Sequence, residues 1–78
     1  MKKSFDLNIG TRKITVIPGE NAVFKDGQVT GTYNLSEGNI HKGTISFDKK
    51  TWENKNTGDL SYIELEAIAE AIPVQYEQ

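Results

Sequence analysis

Asp26-Gly27 stands between two short runs of β-branched and aromatic residues, 22–25 and 28–35. No other dipeptide in the chain restricts the fold so strongly. Asp-Gly between strand-like runs predicts a two-residue type I′ hairpin, because both central residues need positive φ. The turn also sets the register. It places Phe24 opposite Val29, and a slip of one residue would turn every side chain to the other face.

The neighbouring segments obey the same period. Residues 4–9 alternate, with Phe5, Leu7 and Ile9 on one side and Ser4, Asp6 and Asn8 on the other, the pattern of a half-buried strand. After a turn at Gly10-Thr11, residues 12–17 put Ile14 and Val16 on one face, so the two runs read as a hairpin. Pro18-Gly19 is a second turn pair: proline presets φ, and glycine accepts the positive φ that a type II turn needs next. Val29, Tyr33 and Leu35 share a face of the 28–35 run. Gly31 falls on that face too, as a bulge or as a place where another backbone comes close. A turn at 36–39 leads to a fifth strand over 41–48, with Ile45 and Phe47 inward. Five short strands separated by turns predict a small antiparallel β-sheet or partial barrel.

Residues 49–58 read as a polar loop holding the single tryptophan, Trp52. Beyond them the period changes. Tyr62, Leu65, Ile68, Ala69 and Ile72 recur at helical spacing and form one apolar stripe. Ser61-x-x-Glu64 matches a capping box, with Asp59 as a competing cap. Pro73 has no N–H and disfavours helical geometry in the residue before it, so the helix is expected to stop there. The expected organisation is a single α+β domain over 1–78: strands about 4–48, a loop 49–58, one amphipathic C-terminal helix about 60–72, and a tail 73–78.

Composition narrows the chemistry. The chain has no cysteine, which removes disulfides, thiolate zinc sites and cysteine nucleophiles. The one histidine, His41, has no evident companion for acid–base work. The oxygen-rich stretches around Asp26 and over 54–59 lack the spacing of a calcium loop, and no phosphate-cradling glycine motif occurs. The expectation is a protein that is not an enzyme and uses neither cofactor nor metal. Lys2-Lys3 is followed by no apolar signal-peptide region, and no run approaches the ~20 residues of a membrane span. With the absence of cysteine, this points to a soluble, cytoplasmic chain.

The net charge of −2 conceals an asymmetry. Residues 1–50 hold eight basic and five acidic side chains; residues 51–78 hold one and six. Short, acidic, cysteine-free and without a catalytic motif, the chain resembles in composition the small accessory proteins of phages and other mobile elements.

Two binding readings follow. In the first, an acidic helix face of Asp59, Glu64, Glu66 and Glu70, with Trp52 and Tyr76 as aromatic anchors, occupies a basic surface on a larger protein partner. That partner would be one that handles nucleic acid, and the chain would act as inhibitor or adaptor. Neutralisation by the basic strands is the competing use of the same acids. In the second, a small barrel binds single-stranded nucleic acid through Arg12, Lys13, Lys42, Lys49 and Lys50, with Tyr33 as a stacking platform. A pI of about 5.3 weighs against it. Trp52 is either a core plug or an exposed anchor, and Tyr76 either packs back on the sheet or stands free. The chain is expected to be a monomer or a small homo-oligomer joined through a strand edge at 4–9 or 41–48.

Overall fold

A computed structural model describes residues 3–49 and 51–76. The elements run β1 (Phe5–Ile9), β2 (Arg12–Pro18), β3 (Val23–Lys25), β4 (Gln28–Glu37), β5 (Ile40–Lys49), β6 (Thr51–Lys55) and α1 (Tyr62–Tyr76). The Asp-Gly turn forms as its chemistry requires. Asp26 and Gly27 take φ of 56° and 76°, and Phe24 pairs with Val29.

All pairings are antiparallel, in the order β1-β2-β4-β5-β6, with β3 also beside β4. β2 and β3 share one side of β4, β2 against residues 33–36 and β3 against 28–30. Within the described residues β1 and β6 do not pair, so the sheet is open and does not close on itself. The fold is α+β, an antiparallel sheet covered by one helix. The edges also differ from expectation: β5 lies between β4 and β6, so residues 41–48 are not an edge.

β6 lies in the segment expected to be loop. It escapes the pattern because it is a charged edge strand on which only Trp52 is half-buried. Asp48 pairs with Thr51 across the β5–β6 turn, and Lys49, the last residue of β5, takes φ 62°. That turn carries none of the Gly or Asn chemistry by which such hairpins are recognised.

The core joins the inward residues of β2, β4 and β5 (Ile14, Val16, Tyr33, Leu35, Ile45) to Leu65, Ile68, Ala69 and Ile72 of α1. Burying each large aliphatic contributes roughly 1.5–3 kcal/mol. Ser61 caps the helix: its Oγ accepts from the Glu64 N–H at 3.1 Å, and Glu64 Oε1 accepts from the Ser61 N–H at 2.8 Å. Asp59 takes no part in this cap. At the other end, the helix does not stop at residue 72. It continues through Pro73 to Tyr76, although Pro73 cannot donate to the Ala69 carbonyl. The last turn is held by tertiary contacts. Tyr76 packs edge-on to Phe5, lies beside Tyr33, and donates its hydroxyl to the Lys3 carbonyl. Residues 77–78 of the expected tail lie outside the described residues.

Two glycines let chain segments cross at contact distance. Gly31, at φ 99°, sits where residues 21–22 pass over β4; a Cβ there would overlap the Asn21 carbonyl oxygen and the Ala22 Cα. Of the two meanings of Gly31, close approach is the one observed. The crossing is pinned by Gly19 N–H to the Thr32 carbonyl (2.8 Å) and Thr32 N–H to Asn21 Oδ1 (3.0 Å). The bulge lies elsewhere. Leu35 pairs with Gly43 but Ser36 with His41, so Lys42 is the extra residue on β5. Gly43, at φ 124°, allows residues 56–57 to pass against it.

Two stability effects are expected. Gly31→Ala adds both a positive-φ penalty and a backbone overlap, and should destabilise the fold by about 3 kcal/mol in urea melts. Tyr33 is fully buried, and its hydroxyl has no hydrogen-bond partner among the described residues. Tyr33→Phe should therefore be neutral or stabilise by up to ~1 kcal/mol; a clear loss of stability would mean that the hydroxyl has a partner in solution.

Candidate functional site

The acids expected to form one face divide into two groups. Asp59 and Glu64 belong to an internal network centred on Arg12. The guanidinium meets Glu37 in a two-point contact, with Nη2 at 2.8 Å and Nε at 3.2 Å from the two carboxylate oxygens. Its Nη1 donates to both oxygens of Glu64 (3.1 and 3.2 Å) and to the Asp59 carbonyl (3.0 Å). Lys42, turned inward by the bulge, places Nζ 3.0 Å from Asp59 Oδ2 and 3.8 Å from Glu37. The basic strands thus neutralise this part of the acidic end.

Each charge is stabilised by its neighbours. The hydrogen bonds from Arg12 hold the Glu37 carboxyl below its ordinary range. Glu64 is lowered first by the Ser61 N–H and then by Arg12. Arg12 is raised, chiefly by its hydrogen bonds to Glu37.

Glu66 and Glu70 form the second group. They stand one turn apart on the outer face of α1, and neither joins an ion pair among the described residues. Around them lie apolar side chains that the inward stripe does not use. Ile63 is 77% exposed and Val74 68%. With Ala67 between, they fall at i, i+4 and i+11 and line up along one side of the helix. Tyr62, expected in the inward stripe, is 65% exposed. It faces sideways and stacks on Trp52, with ring centroids 6.0 Å apart and planes inclined by 25°. Trp52 is half-buried against the core. Tyr76 is packed against the sheet and so is not a free anchor; burial, and secondarily the Tyr33 hydroxyl, push its phenol up to about 12.

Beside this face a groove of about 360 Å³ opens between the helix and the β5–β6 hairpin. Its floor is apolar, from Val29, Phe47, Trp52, Ala69 and Pro73, and Lys49 and Glu70 also line it.

The basic residues considered for nucleic acid are not brought together. Arg12 and Lys42 are engaged at one end of the sheet, Lys13 pairs with Asp6 at 3.4 Å, and Lys49 ends β5. Tyr33 is buried and offers no face to a base. Lys50 lies outside the described residues. His41 is exposed on β5. Among the described residues, no group of three or more His, Cys, Asp or Glu side chains could hold a metal ion, and no helix is long and apolar enough to cross a membrane. Comparison with protein-family models, curated proteins and solved structures returned no match.

The outer stripe of Ile63, Ala67 and Val74 was open to a helical-wheel reading that followed both faces rather than one. No local pattern announces Arg12, whose partners lie 25 and 52 residues away.

The network carries a pH dependence. Glu37 and Glu64 hold their protons less readily folded than unfolded. Their contribution is fully present above the ordinary carboxylate value of 4.5 and is lost as pH falls through the lowered folded values. The urea midpoint should therefore fall more steeply between pH 5 and 3 in the native chain than in the Glu37→Gln/Glu64→Gln variant. Parallel profiles would remove these two acids from the account.

Proposed function

We propose that this chain is a protein-binding module that docks through the outer face of α1, as an adaptor or inhibitor, onto a basic, partly apolar surface of a larger protein. The observation that carries the reading is the stripe of exposed Ile63 and Val74 with half-buried Ala67 between them, flanked by Glu66 and Glu70 with no basic residue anywhere on the helix. A helix that only covered a sheet would gain nothing from exposed aliphatic side chains at a helical repeat. Apolar anchors one and several turns apart are how helices seat in grooves, and contiguous exposed apolar surface marks interaction sites.

The charges add direction. Two carboxylates between the anchors, unpaired among the described residues, favour a surface that presents Lys or Arg and disfavour acidic ones, setting orientation and association rate more than affinity. Asp59 and Glu64 act indirectly, by fixing the helix through Arg12 and Lys42. Trp52 and Tyr62 extend the face on one flank as stacked aromatics, the residue types enriched in binding hot spots.

The test is capture of partners from a lysate of the source cells, after nuclease treatment, by the native chain and two variants. Glu66→Lys/Glu70→Lys and Ile63→Ser/Val74→Ser should each weaken binding of the captured protein by roughly tenfold or more, with far-UV CD and melting unchanged. A partner held equally well by both variants would take the helix face out of the proposal.

A further inference from the structure

Lys49 and Glu70 line one groove, carry opposite charges, and are not paired; neither forms an ion pair with any described residue. We propose that this groove binds a small zwitterion of the apolar amino-acid class. The ligand's ammonium faces Glu70, its carboxylate faces Lys49, and its side chain lies on the floor of Val29, Phe47 and Trp52.

The arrangement matches such a ligand in three respects. At about 360 Å³ the groove lies at the small end of ligand sites, which span roughly 300–1,000 Å³. An apolar floor with a few placed polar groups is the common composition of such sites. The two charges also discriminate: a cation alone meets Lys49 unfavourably, an anion alone meets Glu70 unfavourably, and a dipolar ligand satisfies both.

The walls are fixed before the ligand arrives. Trp52 is backed by Tyr62 in a stack, and Phe47 is held edge-on to Tyr33 at 5.6 Å. The backbone of Lys49 is held at φ 62°, a conformation that residues other than glycine adopt only when the surroundings impose it. Gly27 lines the groove without a side chain and leaves that side low. Preorganisation of this kind lowers the ordering cost of binding. For a ligand of about a dozen heavy atoms in an open groove, the dissociation constant should be on the order of 1 mM.

The site shares Glu70 with the protein-docking face but does not rest on that reading. The experiment is a ¹⁵N–¹H NMR titration of the whole chain with L-phenylalanine, N-acetyl-L-phenylalanine and L-phenylalanine amide, each to ~20 mM. The zwitterion should give saturable shifts at the Trp52 indole N–H and at the amides of Gly27, Lys49 and Ala69. Blocking either ligand charge should weaken binding by roughly fivefold. Lys49→Gln should remove the preference for the zwitterion over the amide, and Glu70→Gln the preference over the N-acetyl form. No saturable shift, equal affinity for the three compounds, or shifts mapping away from the groove would each overturn the proposal. Ile63→Ser, which alters only the outer stripe, should leave the titration unchanged, so failure of one reading is distinguishable from failure of the other.

Discussion

One guanidinium ties the helix to the sheet. Arg12 opens β2, and its donors reach the end of β4 through Glu37, the approach to the helix through the Asp59 carbonyl, and the first helical turn through Glu64. Lysine could not replace it, because a single ammonium lacks the planar fork that serves several acceptors at fixed angles. Glu64 is doubly committed, to Arg12 and to the capping box with Ser61. The position of the helix start is therefore set by charge and cap together. From that start the rest follows: Leu65, Ile68 and Ile72 point into the core, Tyr62 comes beside Trp52, and Ile63 is left facing outward.

Most of the sheet was legible because its information is local. The Asp26-Gly27 turn fixed β3 against β4 through backbone conformation alone, and the alternation of Phe5, Leu7 and Ile9 identified β1. β6 was not legible, since an exposed edge strand has no buried face to impose a period. The end of the helix was misjudged for a related reason. Proline weighs against helix continuation by a known amount, but the contacts of Tyr76 with Phe5 and the Lys3 carbonyl come from residues more than seventy positions away.

The candidate site shows the same division. That the C-terminal segment is acidic and amphipathic is visible in the sequence. Which acids face water is not, because it depends on where Arg12 and Lys42 fall in space. A one-residue bulge turns Lys42 toward Asp59 and Glu37 rather than away. Without it the charged cluster would be divided differently, and the outer face would hold another set of acids.

The clasp between Tyr76 and the Lys3 carbonyl bears on how the chain comes into being. A ribosome releases the strands before the helix that covers them. The apolar face of Ile14, Val16, Leu35 and Ile45 thus stays open until residues 62–76 have emerged. Hairpins can form early, since their contacts are local, whereas closure joins opposite ends of the described chain and carries the delay of non-local contacts. During synthesis the nascent sheet has one wet face that belongs inside, the kind of surface on which chaperones act and from which aggregation begins. The polar, lysine-bearing edge strand β6 is made before the cover arrives, and in that interval it shields the sheet from pairing with its neighbours.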